Sequence, residues 1–270
     1  RIMEFSPDQL PLTRDARLSL ENGVAVLLLD RDDVRNALTG THLLDDIVAV
    51  CDWINRTPEV GAMVISGRGK AFSAGGNIKD MQQKKGMFAG DGLQIQDNYR
   101  RGIQTMTTRL YQLEVPVIAA VNGAAVGAGM DLSCMCDIRI GSEHARFGET
   151  FVNLGIIPGD GGAWFLPRLV GPQRAAELTF SGRLIDAEQA LDYGLLLQIF
   201  PSEALLDTAI ELAQTFASKP RHALRISKRL LQSGQRLPLQ DFLDYCASQQ
   251  SLCHASDQHL EAVAGMLNTQ

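Results

Sequence analysis

Two glycine-bearing turns limit what this chain can fold into. Each follows an apolar run too short for a helix and leads into a helical pattern. The first is Ala71-Phe72-Ser73-Ala74-Gly75-Gly76-Asn77-Ile78-Lys79. The second runs from Ala119 through Asn122-Gly123, Gly127, Ala128 and Gly129 to Asp131. Strand-to-helix turns of this kind belong to α/β architectures. Their small residues let a ligand approach the backbone closely. A helix that starts at such a turn leaves N–H groups unpaired and presents its positive dipole end. Two such turns facing one point would form an oxyanion hole. Taken alone, they read equally as ordinary tight turns.

Around them the pattern alternates. Apolar runs at 18–20 and 24–29 flank Glu21-Asn22-Gly23, and Asn-Gly between apolar runs is a hairpin signal. Leu43, Ile47, Val50 and Ile54 recur at helical spacing, which predicts a helix over 41–56, capped by Thr41 and followed by Pro58. Strands are expected at 62–66, 117–121 and 138–140, and helices at 99–113 and 128–134. The polar stretch 82–98, with three glycines and adjacent lysines, reads as a mobile loop or short irregular helix of the kind that forms lids. Beyond Phe180 the chain turns to helix after helix, over 186–193, 202–218, 220–233 and 238–252. This gives an α/β core over 1–200 and a helical region over 201–270, suited to subunit contact.

The formal net charge is −6. An anionic surface argues against nucleic acid or an anionic membrane as the main partner, though a local basic cluster can still hold an anionic small molecule. The five cysteines, Cys51, Cys134, Cys136, Cys246 and Cys253, are odd in number and scattered. They read as free thiols in a reducing cytosol rather than a disulfide framework. No apolar run approaches a membrane span and no export leader is evident, so a cytoplasmic protein is expected. Because the chain starts at Arg1, a removed organelle-targeting peptide is compatible with the sequence.

Several chemistries lack their motif. Gly69-Lys70 is followed by Ala71, with no glycine at the spacing of a P-loop. Gly123, Gly127 and Gly129 do not make GxGxxG. The histidines form no HExxH and no metal spacing, and no GxSxG elbow is present. Carboxylates and backbone donors remain, with no metal and no cofactor expected.

The same turns carry a family resemblance. Residues 71–80 (AFSAGGNIKD) resemble one signature of the enoyl-CoA hydratase/isomerase, or crotonase, family, and residues 116–137 (PVIAAVNGAAVGAGMDLSCMCD) resemble the second over their whole length. Arg35-Asn36-Ala37-Leu38 is similar to the segment that borders the CoA site. Phe147-Gly148 and the run from Leu154 to Gly162 match a third signature, and the similarity continues through 174–194. The resemblance implies an α/β fold of ββα repeats wound into a crotonase-like spiral, with C-terminal helices that trimerise, in a homotrimer or hexamer. It implies an acyl-CoA thioester as substrate, with coenzyme A present only as part of it. Mapped onto this chain, the oxyanion donors are the N–H groups of Gly76 and Ala128. The CoA contacts are Arg35, Ala37, Ala74 and Ile78, with Lys79 or Arg68 near phosphates. An exposed cation on a solvated face is the plainer account of those last two.

The chain departs from the family where chemistry is expected. Hydratases use two glutamates. One lies three residues after the second donor, here Asp131, and the other lies four residues before the Leu-Gly glycine, here Phe151. Phenylalanine cannot activate water. Glu149 stands two residues earlier, and Asp160 lies in the following glycine loop. Each has a plainer reading: a helix-dipole acid for Asp131, an interface or surface acid for Glu149, a turn former for Asp160. Phe151, Trp164 and Phe165 are candidates for the acyl pocket wall, or for ordinary core.

Four functions follow. The first is addition of water to a 2-enoyl-CoA through an enolate held in the oxyanion hole. The second is a double-bond isomerase with Asp131 as the main acid/base, since one group can remove a proton at one carbon and return it at another. The third is a non-catalytic acyl-CoA-binding protein. The fourth is thioester hydrolysis with Glu149 activating water. Carboxylates gathered about one point favour hydration, and a lone Asp131 over an apolar pocket favours isomerisation.

Overall fold

A computed structural model describes residues 10–268. The chain opens with the hairpin β1 (Ala16–Glu21) and β2 (Val24–Leu29). Glu21 pairs directly with Val24, and both linking residues have positive φ, 50° at Asn22 and 77° at Gly23. That is the conformation Asn-Gly favours, and its twist matches that of the strands.

The remaining strands come in stepped pairs. β3 (Ala62–Gly67) leads to β4 (Ala71–Ser73), β5 (Val117–Val121) to β6 (Ala124–Val126), and β7 (Ile138–Ser142) to β8 (Arg146–Gly148). The first strand of each pair enters a six-stranded sheet ordered β1-β2-β3-β5-β7-β10, where β10 is Gln198–Phe200. The second enters a four-stranded sheet ordered β4-β6-β8-β9, where β9 is Leu184–Asp186. Apart from β1 and β9, neighbours run parallel. Helices follow the steps: α1 (Leu43–Arg56) after the hairpin, α2 (Ile78–Gln83) after β4, α5 (Ala128–Cys134) after β6, and α6 (Gly162–Val170) after β8 and a 3-10 turn at Thr150–Leu154. The result is a spiral of ββα turns, the fold class expected from the sequence.

Both faces of the large sheet are covered, which explains its continuous apolar strands. Ala25, Leu27, Met63, Ile65, Val117 and Ala119 face the main core between the sheets. The alternate residues, Val24, Val26, Ala62, Val64, Ile118 and Ala120, pack against Leu205, Ala209, Ala213 and Ala217 of helix α9 (Ser202–Ala217). A period of two along each strand therefore loads two cores at once.

Residues 82–98 are more regular than their composition suggests. After α2 and a 3-10 turn at Gly86–Phe88, helix α3 (Gly92–Arg101) starts at a capping box. The Asp91 carboxylate accepts from the Gln94 N–H, and the Gln94 side chain accepts from the Asp91 N–H. The helix expected over 99–113 is interrupted at Gly102, and α4 (Ile103–Tyr111) continues beyond it.

α7 (Pro172–Ser181) and α8 (Ala187–Asp192) complete the layer around β9. Three helices close the chain: α10 (Arg221–Gly234), α11 (Leu239–His254) and α12 (Asp257–Leu267). All five cysteines are free. Burial pushes the thiols of Cys51 and Cys134 up to about 12, so they are inert core groups. Among the described residues no helix is long and apolar enough to cross a membrane, and no group of three or more His, Cys, Asp or Glu is arranged to hold a metal ion.

Candidate active site

The first turn is built by stitching. Asn36, fully buried at φ 54°, accepts from the Arg31 N–H and donates to the carbonyls of Arg68 and Ala71. Ser73 Oγ donates to the Asn36 carbonyl, the Ala74 N–H to Arg35 O, and the Leu38 N–H to Gly75 O. Thr39 Oγ1 accepts the Asn77 N–H at 2.7 Å. Gly76 lies between these ties, and no backbone hydrogen bond engages its N–H.

The second turn presses directly on the first. A β-carbon at Gly129 would collide with the Ser73 carbonyl, and one at Gly75 would lie 2.9 Å from the Ala128 nitrogen. Only glycine permits that approach. Gly127, at φ 54°, opens helix α5, and the Ala128 N–H at its first position likewise has no backbone partner. The two donors expected from the sequence thus stand side by side. Both residues line a cavity of about 30 Å³, room for a water and little more, together with Thr39, Tyr99, Phe151 and Asp160.

Behind this cavity lie the acids. Asp131, one helical turn after Ala128, is 0% exposed, Glu149 1% and Asp160 3%. No side-chain donor from outside the cluster reaches their six oxygens, and the backbone N–H groups of Asp160 and Gly162 lie near the Asp160 carboxylate. They face each other, with Asp131 within hydrogen-bonding reach of both Glu149 and Asp160. A β-carbon at Gly162 would collide with the Asp131 carboxylate, so the start of α6 closes the cluster on its far side. Burial, then the charge of Asp160, holds the Asp131 carboxyl well above the usual carboxylate range. Burial also raises Glu149 and Asp160, against the lowering effect of a hydrogen bond from Asp131. The three acids thus hold their protons as one cluster, with Asp131 the member pushed furthest toward its protonated form. Glu149, readable from sequence as a surface acid, is instead a full member of the cluster, and Asp160 is its member at the cavity wall.

A larger cleft of about 1030 Å³ adjoins the cavity, lined among others by Ile78, Lys84, Ile95 and Arg100. Met81, Phe88, Tyr99 and Ile156 line both and form the wall between them. Ile78 is exposed along the cleft, Ala37 is buried and Ala74 half-buried beside the stitched loop, and Arg35 and Lys79 are exposed. Arg68 donates to Asp30 and lines a separate pocket with Lys70 and His144. Of the three candidate wall aromatics, Phe151 lines the inner cavity. Trp164 and Phe165 instead pack edge-to-face with Tyr111, away from both spaces.

Sequence reasoning missed the Met81–Phe88 wall, Thr39, and two residues of α4 that reach the glycine loop, Gln104 donating to the Gly159 carbonyl and Thr107 to that of Asp160. Helical threonines and glutamines read as solvent-facing unless a partner is known, and those partners are remote in sequence.

A spiral of ββα turns, with two unpaired backbone donors over a cavity backed by proton-sharing carboxylates, defines an enzyme of the crotonase fold. Residues 19–267 match the family model for enoyl-CoA hydratase/isomerase. The chain is 36% identical over 251 residues to the crotonyl-CoA hydratase of Syntrophomonas wolfei, covering 93% of this chain and 94% of that one. It is 32% identical over 249 residues to the 1,2-epoxyphenylacetyl-CoA isomerase of Escherichia coli K12, covering 92% and 93%. Among solved structures, an enoyl-CoA hydratase from Bacillus anthracis superposes with a TM-score of 0.88 at 32% identity, over 95% of this chain and 97% of that one. The chain belongs to the enoyl-CoA hydratase/isomerase family, and it is a hydratase-like enzyme of acyl-CoA thioesters.

Proposed function

We propose that this enzyme adds water across the double bond of a 2-enoyl-CoA. The observation that carries the reading is the buried cluster of Asp131, Glu149 and Asp160 beside the two free N–H groups. The thioester oxygen accepts hydrogen bonds from Gly76 and Ala128, which strengthen as it gains enolate charge; one such donor is typically worth about 3 kcal/mol of barrier. Asp160, at the cavity wall, takes a proton from water as the water oxygen bonds to Cβ. The π electrons shift into the enolate, and Asp160, the acid at the wall, returns a proton to Cα while Asp131 and Glu149 behind it hold the rest of the shared charge, so the acids end as they began. Arg35, Ala37, Ala74, Ile78 and Lys79 hold the CoA moiety, the only cofactor-like group the chemistry uses. The chain divides functionally near residue 200, and the region beyond it joins subunits into a homotrimer or hexamer in the cytoplasm.

A second reading rests on Phe151. An apolar ring where a water-binding acid would stand, with Asp160 the only acid at the wall, suits migration of a double bond by one acid/base. The test is to incubate the enzyme separately with crotonoyl-CoA and a 3-enoyl-CoA and identify products by mass spectrometry. Hydration predicts 3-hydroxyacyl-CoA from crotonoyl-CoA. Conversion of the 3-enoyl substrate alone, by movement of its double bond, would replace hydration with isomerisation.

A further inference from the structure

Asp160 sits in a turn with few ties of its own. Gly159 precedes it and Gly161 follows at φ 114°, the local backbone bonds run from the Gly159 N–H to Ile157 O at 2.8 Å and, at a long 3.4 Å, from the Gly161 N–H to Pro158 O, and no side chain outside the acid cluster donates to its carboxylate. Glycines on both sides leave the backbone with unusual freedom, and an acid that reacts there must be held by something else. Helix α4 supplies the hold. Thr107 Oγ1 lies 2.7 Å from the carbonyl of Asp160, and Gln104 Nε2 donates to the carbonyl of Gly159 at 2.8 Å. The two residues are three apart and so share one face of the helix. The Thr107 hydroxyl has an alternative acceptor in Ile103 O at 3.2 Å, but the contact to Asp160 is shorter. Its methyl group also flanks Gly161, where a β-carbon would lie 3.4 Å away. The ring of Tyr99 closes the other side of Gly159.

We propose that Thr107 and Gln104 are positioning residues, which clamp the Gly159–Asp160 backbone and so hold the Asp160 carboxylate at the wall of the reaction cavity. Neither touches the reacting atoms. The inference rests on the reading that Asp160 handles a proton there, and it holds for hydration and isomerisation alike. Loosening the clamp has two consequences. The carboxylate spends less time in register with the substrate. Water also reaches the cluster, and because burial is what raises Asp160, its pKa falls toward the ordinary carboxylate range.

The experiment compares the full-length wild type with Thr107→Val, Thr107→Ser, Gln104→Leu and Asp160→Asn, recording kcat, KM and the pH-rate profile with whichever enoyl-CoA the wild type turns over. Thr107→Val keeps the methyl contact and removes the donor. We expect Thr107→Val and Gln104→Leu each to lower kcat about 10- to 100-fold, the scale of a displaced catalytic group, with a much smaller change in KM. The alkaline limb, where the cluster gives up its shared proton, should move to lower pH, and Thr107→Ser should recover most of the rate. If Thr107→Val does not fold, Gln104→Leu carries the same test. Wild-type kcat and pH profile in the clamp variants, with Asp160→Asn inactive, would overturn the clamp. So would a loss of rate with an unmoved pH profile that serine does not rescue, which marks a structural role. Full activity in Asp160→Asn would instead remove the reading beneath it.

Discussion

At the scale of single residues, the site is defined by charge that folding does not welcome. Asp131 is completely buried, faces two other acids and has no donor. Its pKa lies well above 3.8, first through burial and then through Asp160. An acid of this kind binds its proton more tightly in the folded chain than in the unfolded one. Its contribution to stability is therefore fully present below the ordinary carboxylate range and is lost as pH rises through the folded pKa. Asp131→Asn removes that loss and offers Glu149 and Asp160 a neutral donor. The variant should be inactive yet melt about 3 °C or more above wild type at pH 8, with the gap closing toward pH 4. A melting point at or below wild type at pH 8 would show that the cluster is not held against its electrostatics. The place of Asp131, three residues after Ala128, was legible through the family resemblance. That Glu149 points inward was not, because a residue after a short strand can face either way until the following turn is placed.

Among the elements, those with strong local signals read correctly from sequence. The Asn-Gly hairpin, α1 with its apolar spacing, and the small-residue turn into α5 each carry their own instruction. The stretch 82–98 read as a mobile loop or a short irregular helix because its apolar content is low, yet Asp91 and Gln94 form a capping box that starts a regular helix, α3. The break between α3 and α4 at Gly102 was equally invisible, since glycine inside a helical pattern is often tolerated. Helix α10 illustrates what sequence leaves out altogether. Lys228 is 7% exposed, and its Nζ lies 2.8 Å from the Val115 carbonyl and 2.7 Å from Asp137. Arg225, one turn earlier, reaches Glu114 and the carbonyls at the end of α1. These bonds fasten α10 to the end of α1 and to the segments that lead into β5 and β7. Lys228→Ala should lower unfolding free energy by about 1–3 kcal/mol in chemical denaturation while leaving kcat within a factor of two. An unchanged midpoint would mean that the tie adds nothing net.

For the molecule as a whole, the spiral brings the turns after β3 and β5 to one point because those strands are neighbours in the large sheet and β4 and β6 are neighbours in the small one. The residues alone left that convergence open, and the resemblance to the family implied it. Beyond the spiral, α11 and α12 carry Leu239, Leu243, Leu252, Leu260 and Val263 on exposed surface. On the proposed assembly these residues bury against other copies, and light scattering should report three or six chains per particle. A single chain would contradict it. Hydration by the carboxylate cluster is tested most directly by where the product's oxygen comes from. Turnover of crotonoyl-CoA in heavy-oxygen water, beside Asp131→Asn and Asp160→Asn, should give 3-hydroxyacyl-CoA labelled at C3 with the wild type and none with either variant. Unlabelled product, or labelling that survives both substitutions, would contradict hydration by the carboxylate cluster.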